Sequence, residues 1–248
     1  MLKWLRNSIR PSVPPGQRVY AVGDVHGRLD LLDKLLAMLE ADNAGRLPAH
    51  TTLVFLGDLI DRGPDSRRVV ERVRTGVGWA RTVALMGNHE AVMLDVLDGQ
   101  TDTLSQWLRF GGSETLESWG VTNQAMLTEI MEGIRAAITP EERGWLGRMR
   151  TSLRIGDYYF VHAGVRPNVP LDRQNDEDRL WIRDEFLENR KHHGAIIVHG
   201  HSINRDVEQL PNRIGLDTGA YATGKLTAIG LEGQSRWLLA TTPEDKRI

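Results

Sequence analysis

The chain has 248 residues, with 40% hydrophobic and 26% charged, proportions of an ordinary globular protein that exclude disordered, collagen-like and coiled-coil classes. Its 31 Lys and Arg against 33 Asp and Glu leave a net charge of -2, without the strongly basic face that nucleic-acid binding calls for. Cysteine is absent, which removes disulfides, thiolate metal ligands and every cysteine-based phosphatase mechanism.

The first residues, 1–17, read as a basic N-terminal tail. Trp4 and Leu5 among Lys3, Arg6 and Arg10 suit a solvated segment better than a membrane-surface one, and no apolar run there has signal-peptide length. Elsewhere no apolar stretch approaches the ~20 residues of a membrane span. The cytoplasm and no stable membrane insertion are the expectation.

Five short apolar runs then organise the sequence, each ending in residues of metal-ligand type. Arg18–Val22 leads into Gly23-Asp24-Val25-His26-Gly27, and Thr52–Leu56 into Gly57-Asp58-Leu59-Ile60-Asp61-Arg62-Gly63. Thr82–Met86 leads into Gly87-Asn88-His89-Glu90, Tyr158–Val161 into His162, and Ala195–Val198 into His199-Gly200-His201. Short, β-branched and bounded by glycine, they read as buried strands. Leu29, Leu32, Leu35, Leu36 and Leu39 between the first two recur at helical spacing. A second helix is expected to open at Pro64 and run through Val69, Val70 and Val73. Alternating strands and helices imply parallel pairing, with a site beyond the carboxyl ends of the strands. Residues 101–150, with Trp107, Trp119, Trp145 and a Gly111-Gly112 break, read as an inserted helical cap. After Thr151 come a hairpin turning at Gly156-Asp157 and strands over Arg213–Leu216, Leu226–Leu231 and Arg236–Ala240. The expectation is one α/β domain over 18–248, with two β-sheets flanked by helices.

Five of the eight histidines fall at these strand ends, alongside Asp24, Asp58, Asp61 and Asn88. One histidine after a strand is usually a packing residue, and Asp24 or Asp58 alone would be a helix cap. Five such coincidences at five strand ends point instead to metal. Nitrogen and oxygen donors without sulfur suit Mn, Fe or Zn. There are more donors than one ion needs. Asp58 is placed to bridge two ions, with Asp24 and His26 on one and Asn88, His162 and His201 on the other. Two ions about 3.5–4 Å apart clamp a phosphate and acidify a bridging water.

The motifs GDVHG (23–27), GDLIDRG (57–63) and GNHE (87–90), followed by FVHAG and VHGHS, resemble the signature of the phosphoprotein phosphatase branch of the calcineurin-like metallophosphoesterases, and among them the bacterial and phage lambda phosphatase type. The resemblance implies a sandwich of two mixed β-sheets with a dinuclear site at the strand C-terminal ends. It implies the same two ligand sets around Asp58, filled most readily by manganese. It makes His89 the general acid that protonates the leaving alkoxide, held by Asp61. Arg62 grips the phosphate on a firm motif match, and Arg183, in LWIRDEF, on a looser one. His201 is taken as the ligand and His199 as a residue behind it. Asp217 in GLDTGA is expected near the site, while His50, His192 and His193 read as solvated surface. Two departures count against eukaryote-style regulation. Met86 stands where the eukaryotic enzymes carry arginine, and their tyrosine-containing loop near the C-terminus has no match.

Several short motifs do not hold. Residues 219–226 lack the Ser or Thr and the following helix of a P-loop. Asp217-Thr218-Gly219 lacks the second copy an aspartic protease needs. His89-Glu90-Ala91-Val92-Met93 ends without the second histidine of a zinc protease, and Asp176-Glu177-Asp178 follows no strand. A non-catalytic metal-binding scaffold would not need His89, Asp61 and Arg62 together. The expectation is therefore a monomeric phosphomonoester hydrolase acting on a phosphorylated protein, most simply a serine/threonine protein phosphatase. A symmetrical diadenosine tetraphosphatase is the alternative. Those enzymes share two of the motifs but commonly read GNHD, so Glu90 favours the protein phosphatase.

Overall fold

The apolar runs alternate between two buried faces, and this alternation builds two stacked sheets. The computed structural model describes residues 10–242, so Lys3 to Arg6 lie outside the described residues. The chain runs β1 (Gln17–Val22), α1 (Leu29–Ala44), β2 (His50–Phe55), α2 (Ser66–Thr75), β3 (Arg81–Ala84). Next come α3 (Asn88–Asp98) and then the insert, as α4 (Thr101–Trp107), a π-helical segment (Leu108–Gly112), α5 (Ser113–Ser118), α6 (Leu127–Ala137) and α7 (Pro140–Leu146). Then come β4 (Ser152–Ile155), β5 (Tyr158–Val161), α8 (Asp176–Trp181), α9 (Asp184–Leu187), β6 (Ile196–His199), β7 (Glu208–Gln209), β8 (Arg213–Gly215), α10 (Ala220–Thr223), β9 (Thr227–Glu232) and β10 (Ser235–Ala240).

One sheet has the order β10-β9-β1-β2-β3 and the other β4-β5-β6-β8-β7. Both are mixed: the first is antiparallel from β10 to β1 and parallel from β1 to β3, and in the second two parallel pairs are flanked by antiparallel ones. Val19, Ala21 and Val54 of the first sheet meet Tyr158, Phe160, Ile196 and Val198 of the second in a core between the sheets. The residues between them in sequence point the other way, as a period of two requires. Tyr20, Val22, Leu53 and Phe55 pack under α1, α2 and the insert, while Tyr159, Val161 and Ile197 pack under Ile182 and Phe186.

Strand positions agree with the sequence to within two or three residues. Helix α2 starts at Ser66 rather than Pro64, because Pro64 and Asp65 form the turn before it. The insert is helical as expected, and its Leu104, Trp107, Leu116, Ile134 and Leu146 share one core with Tyr20, Val22 and Leu32. Among the described residues no helix is long and apolar enough to cross a membrane.

Candidate active site

The loops after β1, β2, β3, β5 and β6 converge at one end of the sandwich. The first two are tied by main chain: the N–H groups of Val25 and His26 both donate to the Asp58 carbonyl, at 3.1 and 2.9 Å. Six described non-glycine residues adopt positive φ, and five of them are His26, Asp58, Asp61, Arg62 and His201. Such backbone costs on the order of 1–3 kcal/mol per residue and persists where the surroundings over-determine it.

Ring orientations fix where the donor atoms face. His26 Nδ1 donates to the Ile60 carbonyl at 2.8 Å, which leaves Nε2 as a lone pair. His162 Nδ1 likewise donates to the Leu56 carbonyl at 2.9 Å. Its Nε2 then faces Asn88 Oδ1 at 2.9 Å, His201 Nδ1 at 3.2 Å and Asp58 Oδ1 at 3.4 Å. His201 Nδ1 also lies 3.0 Å from Asn88 Oδ1. Asp58 Oδ2 is 3.6 Å from His26 Nε2 and 3.7 Å from His89 Nε2. Burial presses His26 and His201 toward the neutral ring, to about 3 and about 2, and lowers His162 as well. Lone pairs and oxygens therefore meet in a buried cluster, with Arg62 Nη1 3.0 Å from His26 Nε2 as the charged donor in reach. A cation is what such a donor set accommodates.

The donors form two groups that share Asp58: His26, Asp58 and His89, and Asp58, His162 and His201. Asp24 sits beside them, 2% exposed, with Oδ2 accepting the His201 N–H at 2.9 Å and Oδ1 buried without a partner. Burial, then the nearby Asp217 and Asp58, push its carboxyl well above the usual range, a balance that a divalent cation alongside would reverse. Asp217 lies just after β8, its Oδ1 accepting the Gly219 N–H, and its carboxylate is close enough to act on the charge of Asp24.

His89 differs from the other rings in its partners. Its Nδ1 lies 2.5 Å from Asp61 Oδ2, and Arg62 Nη2 approaches its Nε2 at 3.2 Å. Burial opposes charge on this ring, yet Asp58 and Asp61 outweigh it and hold its pKa above the ordinary value. Asp61 is itself immobilised by the insert: Trp107 Nε1 donates to Oδ2 at 2.9 Å, and Thr115 Oγ1 donates to Oδ1 at 2.5 Å. The π-helical segment wraps onto the next residue, where the Arg62 N–H donates to the Gly111 carbonyl at 3.0 Å.

Asn88, His89 and Glu90 are the first three residues of α3. Glu90 points away from the cluster, wholly buried, and accepts four backbone N–H groups: Gly87 and Asp58 at 2.9 Å, Leu59 at 2.8 Å and Ile60 at 3.3 Å. It caps its own helix and holds the neighbouring loop at once. The loop packs so closely that a Cβ on Gly87 would lie 2.2 Å from Asp58 Oδ1.

A cavity of about 240 Å³ opens over these groups, lined by Asp58, Arg62, Asn88, His89, Phe110, Trp181, Arg183 and His201. Arg183, between α8 and α9, is one of these lining residues. Rings frame the floor: Tyr221 stands edge-on to His26 at 5.4 Å, Phe110 lies 6.3 Å from His89, and Trp181 lies 6.4 Å from His201. His199 stays behind the cluster, buried against Phe186, with burial lowering its pKa to about 4. His50 and His192 are exposed, but His193 is half-buried beside Phe186, contrary to its polar sequence surroundings. Trp107, Thr115, Phe110 and Tyr221 carried no local motif for the site, and Trp181 entered only through the W-x-R match to Arg183. The only sequence signal near the first three was the Gly111-Gly112 break.

Two sheets joined through a cluster of buried imidazoles and carboxylates, with two arginines at its mouth, define a metal-dependent phosphoester hydrolase. The chain belongs to the calcineurin-like phosphoesterase family, whose profile matches residues 17–227. It is 34% identical over 269 residues to a symmetrical bis(5'-nucleosyl)-tetraphosphatase of Ralstonia nicotianae, covering 88% of this chain and 89% of that one. It is 31% identical over 219 residues to serine/threonine-protein phosphatase 1 of Salmonella typhimurium, covering 85% and 90%. The fold is also that of a cold-active protein-tyrosine phosphatase from a psychrophilic Shewanella, with a TM-score of 0.54, 20% identity and coverage of 96% and 86%.

Proposed function

We propose that this enzyme removes phosphate from phosphoserine and phosphothreonine in proteins, by direct attack of water on phosphorus. The observation that carries the reading is the cavity itself. At about 240 Å³ it is smaller than the ~300–1,000 Å³ of pockets that enclose whole small molecules, yet two arginines and a histidine converge in it. It suits a single phosphorylated side chain presented from outside.

In this reading Asp24, His26 and Asp58 hold one divalent ion, and Asp58, Asn88, His162 and His201 hold a second, with manganese the first choice and iron or zinc also suited. The bound ions supply positive charge to the phosphoryl oxygens and acidity to the attacking water. Arg62 and Arg183 grip the remaining phosphoryl oxygens, where a planar fork outperforms lysine. His89 gives the proton on Nε2 to the departing seryl or threonyl oxygen as the P–O bond breaks. Asp61 bonds the opposite nitrogen and keeps the ring oriented and charged.

Trp181, 38% exposed at the cavity mouth, favours a second reading, in which a nucleobase of a dinucleoside tetraphosphate stacks there. Glu90 no longer separates the two, because it faces backbone rather than substrate. The manganese-loaded enzyme should be assayed in parallel on a phosphoserine peptide and on diadenosine tetraphosphate. A kcat/KM at least tenfold higher for the peptide, about 1.4 kcal/mol, is expected. A preference for the dinucleotide would establish the second reading.

A further inference from the structure

Strand β3 is an edge strand, paired with β2 on one side only. Near its C-terminal end the Leu85 N–H donates inward to the Phe55 carbonyl, while the Met86 N–H donates outward to the Arg150 carbonyl at 2.8 Å. Main-chain groups alternate sides along a strand, so the N–H and C=O of Thr82 and the N–H of Ala84 face the open side, while the Ala84 carbonyl belongs to the pairing with Arg150. A cavity of about 220 Å³ runs along that side, lined by Arg81, Thr82, Val83, Ala84, Trp145, Arg148, Met149 and Arg150. Three guanidinium groups converge there, all exposed, and no carboxylate lines the cavity. Among the described residues none of the three makes an ion pair, whereas Arg18, Arg46, Arg166 and Arg213 all do.

We propose that this edge docks an extended, acidic segment of a protein substrate. The guest main chain would pair with Thr82 and Ala84, extending the single pairing that Arg150 already makes at Leu85. Its carboxylates or further phosphates would meet Arg81, Arg148 and Arg150, and an alternate side chain would rest on Trp145. Backbone pairing favours a peptide over a free anion, and the uncompensated positive charge sets the sign of its side chains. The site is separate from the catalytic cavity, since the two share no lining residue. The proposal rests on the protein-phosphatase reading.

Arginine on a sheet edge also serves simply to block pairing with other chains, and one experiment separates the two roles. Fluorescence anisotropy would follow a short labelled peptide alternating glutamate with valine, with its lysine–valine counterpart as control. The whole enzyme would be compared with the triple variant Arg81→Ser, Arg148→Ser, Arg150→Ser. Selective binding of the acidic peptide, weakened at least tenfold in the triple variant with p-nitrophenyl phosphate turnover unchanged, is expected. Equal affinity of both proteins for the acidic peptide would overturn the docking site, as would triple-variant self-association with no change in peptide binding. Should the triple variant fail to fold, Arg148→Glu alone, in the connection between α7 and β4, reads the same difference. Because binding is measured without turnover, inactivity toward phosphoserine would sink the catalytic reading while leaving the binding result to stand or fall by itself.

Discussion

In the proposed reaction the pairing of His89 with Asp61 makes protonation at one ring the pH control of the site. The folded pKa of His89 is raised, so the charged ring, the acid of that proposal, persists above the ordinary histidine range and is lost as pH climbs through that value. The stability this charge contributes follows the same sign, present at low pH and fading over that climb. Asp61→Asn should therefore move the alkaline limb of the kcat profile to lower pH, which a pH–rate series in both proteins measures. His89→Asn should retain metal yet lower kcat by about 10²-fold or more. Loss of metal together with activity, read by elemental analysis, would remove His89 from the acid role. Glu90 makes a different kind of prediction. Truncation to alanine strands four buried N–H groups, each worth about 1–3 kcal/mol if left unpaired. Glu90→Ala should unfold well below the parent in a thermal melt, and Glu90→Gln, which keeps two acceptor positions at most, should fall between.

At the scale of elements, the insert is part of the site rather than an ornament beside it. Trp107 and Thr115 lie 46 and 54 residues from Asp61 in sequence, yet both donate to its carboxylate. The bend that brings them there turns on Gly111, at φ 101°, where a Cβ would lie 2.7 Å from the Arg62 nitrogen. Gly111→Ala should displace Arg62, raising KM for a phosphate ester about tenfold or more while metal content stays at the parent level. Steady-state kinetics beside elemental analysis checks both halves. The strands, by contrast, were legible from sequence because each is a short apolar run closed by glycine and finished by its own ligand-type residue, a local pattern. His26, Asp58, Asn88, His162 and His201 could be read for that reason. Trp107, Thr115 and Tyr221 could not, since their importance comes from long-range packing that leaves no spacing behind. Glu90 was visible, but its direction was not: only the turn at Gly87 sends its carboxylate into the backbone instead of toward substrate.

Across the whole molecule the candidate metal donors are divided between two sheets. Asp24, His26, Asp58 and Asn88 follow strands of the first, and His162 and His201 follow strands of the second. Ions bound to the native chain alone stabilise it by mass action, about 2.7 kcal/mol at a hundredfold excess over Kd. Adding manganese to chelator-treated enzyme should raise the melting temperature, and a chelator should return it, as differential scanning fluorimetry would record. Asp58→Asn, which weakens the one group common to both donor sets, should abolish that rise.

The order of strands in the first sheet has a further effect during synthesis. Strand β1, which carries Asp24 and His26 at its end, lies between β2 and β9, and β9 spans Thr227–Glu232 near the far end of the chain. A ribosome must therefore release the chain through Glu232 before that sheet can close. A chain that stops before His201 lacks a donor of the second set as well as the β1–β9 pairing, whereas one that stops between His201 and Thr227 holds every candidate donor on an unclosed sheet. Closure of the sheet, rather than the supply of ligands, is thus the last step in building the candidate metal centre.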